Sequence, residues 1–139
     1  MTVQNPIPQG KYSPAVRVGD LIFTAGMTPR REGKLIQTGQ VKAGEPLENY
    51  KEAAVLCAMN AVNAARAQLN EGENITRIIK LMVFINAEQG FTAHAKLADI
   101  VSEYLCEAIP GLPPARSAIG MGTLPGDAPM EVELICSVI

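Results

Sequence analysis

The residues best suited to chemistry lie near the C-terminus, in the segment LPPARSAIGMGTLPGDAPMEVEL. One arginine, Arg116, stands among alanines and glycines, and Glu131 and Glu133 follow in an alternating apolar segment. A guanidinium is permanently charged and can bind a carboxylate through two parallel hydrogen bonds. The segment therefore predicts either a structural ion pair between Arg116 and one of the glutamates, or a pocket where Arg116 binds a small acid.

The alternation of side chains along β-strands groups these residues further. Successive side chains of a strand point to opposite faces of the sheet, so Arg116, Ala118 and Gly120 share one face. The other face of that strand carries Ile119 and Met121, which we expect to pack against helices. We therefore predict that Arg116 lies with both glutamates on the face away from the helices, beside a pocket left open by the small residues.

Other candidate groups in the sequence have simpler explanations. His94 falls in the apolar stripe of a predicted helix, which indicates a hydrogen-bonded core histidine, with a role in the pocket as the alternative. No second histidine or carboxylate accompanies it at ligand spacing, so no metal site is predicted. Tyr12, in GKYSPAV, is interpreted as a packing residue at an edge. Cys57, Cys106 and Cys136 are far apart in the sequence and are interpreted as buried small hydrophobes, with a reactive thiol as the alternative.

The spacing of apolar residues predicts the elements that position these groups. Two helices and about six strands are expected in the order ββ(β)αβαββ. This order indicates an α+β fold, a single mixed sheet with both helices on one face, and one domain over residues 1–139. The predicted strands cover 15–18, 21–26, 34–37, 78–85, 115–122 and 129–139, and the predicted helices cover 47–69 and 88–108.

The composition of the strand predicted at 78–85 indicates whether the chain assembles with other copies. It is apolar at every position except Lys80, which is typical of a strand covered on both faces. Two helices can cover only one face of the sheet, and large apolar surfaces are rarely left in water. We therefore expect the other face to be buried against copies of the same chain in a homo-oligomer.

Composition argues against two classes of partner. The chain has 139 residues, a formal net charge of -2 and no basic block, which argues against nucleic-acid binding. No apolar stretch is long enough to span a membrane, and the N-terminus lacks the pattern of a signal peptide. A cytoplasmic protein without a membrane partner is expected.

Four segments carry a family resemblance. GKYSPAVRVGDLIFTAGM, IIKLMVFI, PPARSAIGMGTLP and MEVEL resemble, in order and spacing, the reactive intermediate deaminase (Rid) family, also called YjgF-like or endoribonuclease L-PSP. The resemblance implies a chorismate-mutase-like fold assembled as a homotrimer around a central barrel, with a ligand cleft between each pair of subunits. It also implies hydrolysis of enamines and imines of amino acids to 2-oxo acids and ammonia, without metal or cofactor.

The resemblance also implies roles for individual residues. Arg116 would bind the substrate carboxylate, the backbone at Ala118 would hold the hydrolytic water, Glu131 would position or relay protons, and Tyr12 would line the mouth. Ala25, Ala95 and Ala118 stand where the best-understood branch carries serine, asparagine and cysteine, and His94 could replace the asparagine.

Three functions are compatible with this pattern. The first is a cofactor-free hydrolase or deaminase acting on a small carboxylate metabolite. The second is a non-catalytic sensor or carrier for such a metabolite, which the three alanines favour. The third, a ribonuclease that inhibits translation, is disfavoured by the acidic charge balance.

Overall fold

The computed structural model describes residues 5–139. It contains seven strands and two α-helices, with short 3₁₀ turns at Leu47–Tyr50 and Pro125–Asp127. The strands are β1 (Ala15–Val18), β2 (Leu21–Thr24), β3 (Arg30–Arg31), β4 (Lys34–Leu35), β5 (Ile75–Asn86), β6 (Ala115–Met121) and β7 (Met130–Val138), and the helices are α1 (Lys51–Arg66) and α2 (His94–Ala108).

The main sheet has five strands in the order β1-β2-β7-β5-β6. Strands β5 and β6 run parallel, and every other neighbouring pair is antiparallel. Helix α1 lies over β2 and β7, and α2 lies over β5 and β6. The predicted α+β fold, with a mixed sheet and both helices on one face, is confirmed. Strands β3 and β4 form a separate hairpin.

Both hairpins depend on turns with positive φ angles. Gly19, at φ 59°, turns β1 into β2, where the sequence predicted a turn. In the β3–β4 hairpin, Glu32 and Gly33 have φ angles of 54° and 81° between paired Arg31 and Lys34. Positive φ at both central residues matches the twist of two-residue hairpins, so this tight turn holds β3 against β4.

The core lies between the helices and one face of the sheet. Helix α1 presents small residues to the sheet, which allows a close approach, and α2 contributes larger side chains such as Leu97 and Leu105. The sheet contributes alternate residues of its central strands, which are buried because successive side chains point to opposite faces. These sheet residues include Leu81, Val83 and Ile85 of β5 and Val132, Leu134 and Cys136 of β7.

Helix α2 begins later than the sequence predicted. Residues 88–91 form a turn in which the Phe91 N–H donates to the Glu88 carbonyl oxygen at 3.0 Å, and Gly90 adopts a φ of 91°. A glycine in this conformation interrupts a helix, so α2 starts only at His94. The expectation that His94 lies mid-stripe in the helix is therefore wrong. No helix among residues 5–139 has the length and hydropathy needed to cross a membrane.

No helix among residues 5–139 lies over the second face of the sheet. We call it the outer face; it carries the side chains of β1, β2, β5, β6 and β7 that alternate with the core set. Several are apolar and exposed, including Val18 at 65% and Ile119 at 41%. Strand β5 is thus fully buried on one side only, and cover of the outer face by other copies stays a prediction.

Candidate functional site

A cleft of about 450 Å³ opens between the N-terminal segment and the outer face of the sheet. It brings together three predicted site residues, Tyr12, Ala25 and Glu131, although they are far apart in sequence. Phe84, Glu133 and Arg30 also line it. A second cleft of about 370 Å³ adjoins it and shares Tyr12 and Arg30.

Glu131 is the acidic centre of this cleft. It lies in β7 opposite Phe84 of β5, and its carboxyl packs directly over Gly26. A Cβ atom at position 26 would lie 2.7 Å from Glu131 Cδ, so only glycine leaves room for the carboxyl in this position. Burial, with a smaller contribution from the negative charge of Glu133, raises the pKa of Glu131. The shift moves this carboxyl toward the range in which it can both accept and donate a proton.

Tyr12 lines this cleft. Its hydroxyl accepts a hydrogen bond from the Gln9 N–H at 2.9 Å, and its side chain is 46% exposed. The hydroxyl is satisfied at an edge as expected, but the ring faces the cleft and is not packed into the core. Ala25 also lines the cleft, and its N–H donates to the Pro14 carbonyl oxygen at 2.8 Å.

Arg116 lies on the opposite face of the sheet from Glu131. Strand β6 pairs with β5 so that Arg116 is opposite Leu81, whose side chain is buried beneath the helices. Arg116 Nη1 donates to Asp99 Oδ1 at 2.8 Å and to Ser102 Oγ at 3.1 Å. The predicted shared face with the two glutamates is therefore wrong, and within the chain the ion-pair partner is Asp99.

The reason for this error is physical. Alternation determines which residues share a face of the sheet, but it does not determine which face packs against the helices. Because Ile119 and Met121 are apolar, their face was expected to pack in the core, which placed Arg116 on the outer face. Strand β6 is an edge strand that faces a polar strip of α2, which includes Asp99 and Ser102. Arg116 therefore points toward α2 and forms hydrogen bonds with its polar side chains, and Ile119 is exposed on the outer face.

His94 and Ala118 lie on the same side of the sheet as Arg116. The His94 ring packs edge-on against Phe91, with ring centroids 5.0 Å apart. Its Nε2 atom is 3.1 Å from the point where a Cβ at Gly120 would stand. His94 is half-buried at the N-terminus of α2, and Ala118 packs against the hydrophobic core. The predicted site residues thus form two groups on opposite faces of one sheet, with Tyr12, Ala25 and Glu131 in the cleft and His94, Arg116 and Ala118 beside α2.

Arg30, at the start of β3, was missed from the sequence. The segment PRREGK is typical of a polar loop, and its residue types alone do not distinguish Arg30 from Arg31. The informative feature is the two-residue turn after Arg31, because paired strands send neighbouring side chains to opposite sides. Arg30 accordingly turns inward to the cleft, and Arg31 is exposed.

The remaining candidate groups are the metal-ligating side chains and the three cysteines. Among residues 5–139, no three His, Cys, Asp or Glu side chains cluster in a way that could hold a metal ion. Cys57 and Cys136 are buried as predicted, and Cys106 is half-buried. Burial raises the pKa of the Cys57 thiol well above its usual value and that of Cys136 to about 11, which keeps both protonated.

Comparisons with known proteins agree with this fold. The sequence profile of the family described as Endoribonuclease L-PSP matches residues 2–138. A RutC family protein of Pyrococcus abyssi is 31% identical over 135 residues, which cover 96% of this chain and 91% of the relative. A 2-iminobutanoate/2-iminopropanoate deaminase of Dermatophagoides farinae is 28% identical, covering 94% of this chain and 88% of the relative.

A solved structure agrees as well. The crystal structure of a putative endoribonuclease from Shewanella oneidensis superposes with a TM-score of 0.85 at 25% identity, covering 96% of this chain and 89% of that one. Profile, relative and structure all extend over nearly the whole chain. This chain belongs to the endoribonuclease L-PSP family, the YjgF-like group of reactive intermediate deaminases.

Proposed function

We propose that this protein hydrolyses the C=N bond of small 2-imino acids, releasing a 2-oxo acid and ammonia in the Tyr12–Glu131 cleft. The observation that carries the proposal is the carboxyl of Glu131, held over Gly26 in an open cleft with a raised pKa. The 2-iminobutanoate/2-iminopropanoate deaminase among the relatives supports the choice of substrate class.

The proposed reaction needs one proton relay. Water adds to the electrophilic imine carbon while the Glu131 carboxylate accepts one of its protons and passes that proton to the imine nitrogen, which gives a neutral carbinolamine. The Glu131 carboxylate then accepts the remaining hydroxyl proton and donates it to the amino nitrogen, so that the C=O bond forms as the C–N bond breaks. The products are the 2-oxo acid and ammonia, and Glu131 returns to its starting state. Such positioned proton transfer accelerates reactions by roughly 10² to 10⁴-fold, with further gain from orientation.

The second group of site residues, His94, Arg116 and Ala118, would reach the cleft only through assembly of several copies of the chain. The family resemblance assigns carboxylate binding to Arg116 and places clefts between the subunits of a homotrimer. On this proposal, the edge strand β6 of one copy brings His94, Arg116 and Ala118 to the Tyr12–Glu131 cleft of the next. The exposed apolar side chains on the outer face support such an assembly.

A second function is favoured by the alanines at three site positions. Ala25 lines the cleft, and Ala118 lies beside Arg116, so neither offers the polar group found in the best-understood branch of the family. A protein that binds a small carboxylate without turnover fits these positions. RNA cleavage is disfavoured because Glu131 and Glu133 would repel a phosphate backbone in the cleft.

The two functions are separated by measuring turnover. Purified protein is incubated with 2-iminobutanoate generated in place, and the loss of the imine is timed against buffer alone. We expect wild-type protein to accelerate the loss and Glu131→Gln to remove most of the acceleration. The matched control is Glu103→Gln, on the exposed side of α2. Binding of 2-oxobutanoate by a protein that does not accelerate imine loss would establish the carrier function instead.

A further inference from the structure

An extra residue interrupts the pairing of β2 with β7. The last regular pair of these two strands joins Phe23 to Ile135. Pairing resumes at Met27 and Val132, which exchange two backbone hydrogen bonds of 2.7 and 2.9 Å. Between these pairs the chain that leaves β2 has three residues and β7 has two. Residues 24–26 therefore form a β-bulge.

The bulge explains how two neighbouring residues line the same cleft. Side chains alternate between the faces of a regular strand, so Ala25 and Gly26 would lie on opposite faces there. Both residues line the Tyr12–Glu131 cleft, and a Cβ at Gly26 would lie 2.7 Å from Glu131 Cδ. Bulges redirect residues in this way and are frequent next to active sites. The extra residue thus brings Gly26 against the Glu131 carboxyl.

The side chain of Thr24 forms a hydrogen bond at the point where the bulge interrupts the ladder. The Val138 N–H donates to the Asp20 carbonyl oxygen at 2.9 Å, and such bonds recur at every second residue of an antiparallel pair. A regular ladder would therefore join the Leu134 N–H to the Thr24 carbonyl oxygen. Regular pairing ends one residue earlier, and the buried Leu134 N–H donates to Thr24 Oγ1 at 3.0 Å. Because buried N–H groups are nearly always paired, we interpret this hydroxyl as the substitute for a backbone acceptor.

Other contacts hold the two ends of the bulge. The Ala25 N–H donates to the Pro14 carbonyl oxygen at 2.8 Å, and this bond ties the bulge to the segment that carries Tyr12. On the other side, the Met27 side chain belongs to the hydrophobic core. Within the bulge itself, the sequence is Thr-Ala-Gly, and only threonine has a side chain that can form a hydrogen bond. The Thr24 hydroxyl is thus the polar side-chain group with which the bulge binds β7.

We propose that Thr24 is a positioning residue for the proposed reaction, because its hydroxyl fixes the bulge that holds Gly26 against the Glu131 carboxyl. The inference rests on the proposed function for the role of Glu131. Thr24 is buried and is not among the residues that line the Tyr12–Glu131 cleft, so it acts through the backbone and not on the ligand. Its loss should therefore lower kcat more than it changes KM.

Hydrogen exchange tests the bulge without turnover. Exchange of backbone amides is followed by NMR in wild-type protein, in Thr24→Val, which keeps the shape but loses the hydroxyl, and in Thr24→Ser, which keeps the hydroxyl. We expect the Leu134 amide to exchange about tenfold faster or more in Thr24→Val, with Thr24→Ser close to wild type. The Val83 amide of β5 is the reference, since a uniform loss of stability would accelerate both amides. Equal changes at Leu134 and Val83, or no change at Leu134, would overturn the inference.

Kinetics test the link to Glu131. The rate of loss of 2-iminobutanoate is measured at several concentrations of the imine. We expect kcat of Thr24→Val to fall by about tenfold to a hundredfold with little change in KM, and Thr24→Ser to restore it, because small displacements of a catalytic group cost up to roughly 10²-fold. The matched control is Thr76→Val, which removes an exposed strand hydroxyl bonded to Ser137 and should leave kcat unchanged. Wild-type kcat in a folded Thr24→Val protein would contradict the inference.

The two proposals fail in different ways. If wild-type protein does not accelerate the loss of the imine, the proposed reaction is contradicted, and hydrogen exchange still decides whether Thr24 fixes the bulge. If wild-type protein and Thr24→Val hydrolyse the imine equally well, only the role of Thr24 is contradicted. If Thr24→Val fails to fold, as judged by circular dichroism, Thr24→Ala is compared with Thr24→Ser in both experiments. These two variants differ only in the hydroxyl, and Thr24→Ala is expected to show the faster Leu134 exchange and the lower kcat.

Discussion

At the scale of single residues, Glu131 is the proposed proton-transfer group, and its charged form destabilises the fold. Its carboxyl is half-buried near Glu133, and both conditions disfavour its charged form. Because the pKa is higher in the folded than in the unfolded state, the protonated carboxyl stabilises the fold below the unfolded pKa. That contribution is lost as the pH rises through the folded pKa, so at pH 7 the charged carboxylate lowers the free energy of unfolding.

The first prediction follows from this linkage. We expect Glu131→Gln to raise the melting temperature at pH 7, because a neutral amide replaces a partly desolvated charge, while imine hydrolysis falls by roughly 10² to 10⁴-fold. The gain in stability should shrink at pH 4, where more of the wild-type carboxyl is protonated. Thermal unfolding at both pH values tests this, and a lower melting temperature at pH 7 would show that the charged carboxylate stabilises the fold.

Gly26 leads to the second prediction. A methyl group at this position would lie 2.7 Å from Glu131 Cδ, so Gly26→Ala must displace the carboxyl. We expect kcat to fall at least tenfold with a smaller change in KM, since the displaced group acts on the reacting atoms. The control is Gly44→Ala, because a Cβ there meets nothing within 4 Å. Full activity in Gly26→Ala would contradict the role given to Glu131.

At the scale of elements, an ion pair joins β1 to the turn that follows α1. Arg17 Nη1 and Nη2 donate to the two carboxylate oxygens of Glu73 at 2.6 and 2.7 Å. The N–H of Asn70 donates to the same carboxylate at 2.6 Å. The bonds from Arg17 and then from the Asn70 backbone lower the pKa of Glu73 to about 2.

The third prediction uses the pH dependence of this pair. A carboxyl with a lowered pKa contributes stability above its unfolded pKa, about 4.5, and loses it as the pH falls to about 2. Glu73→Gln should therefore be less stable than wild type at pH 7, and the difference should close across that window. Urea unfolding at several pH values measures the difference, and a constant gap would mean that the pair contributes through packing alone.

The ion pair between β6 and α2 gives the fourth prediction. The side chain of Asp99 is 60% exposed, and exposed pairs of this kind contribute about 0.2 to 1 kcal/mol. We expect Asp99→Asn to lower the free energy of unfolding by no more than about 1 kcal/mol. Urea unfolding measures the change. A much larger loss would show that the Arg116–Asp99 pair behaves as a buried ion pair. In that case Arg116 would not readily leave Asp99 to bind a ligand.

The elements show which features the sequence could predict. Turn residues such as Gly19 and the strict alternation of β7 are local, so the first hairpin and the last strand were predicted correctly. The start of α2 was not, because the apolar pattern continues through the turn at Gly90. The face of Arg116 depends on the parallel register with β5 and on the polar strip of α2, and neither is visible in the sequence around it.

At the scale of the whole molecule, one assembly would account for two separate observations. The predicted site residues are divided between opposite faces of the sheet, and the outer face carries apolar side chains that no helix covers. Those exposed side chains are Val16, Val18, Leu21, Phe23, Ile79 and Ile119. A second copy placed over the outer face would bury this surface and could bring Arg116 of one chain toward Glu131 of another.

The last prediction concerns this assembly. We expect the wild-type protein to sediment as a trimer of the 14.8 kDa chain, since uncovered apolar surface of this kind favours self-association. Phe23, on the outer face of β2 and 39% exposed, pairs with Ile135 of the central strand β7. Phe23→Asp should yield a folded monomer, because a charge at this point would be desolvated in the assembly. Leu112→Asp, in the exposed loop before β6, serves as the control and should remain assembled. A wild-type monomer, or a Phe23→Asp trimer, would show that the outer face is not the contact surface, and the two groups of site residues would then act separately.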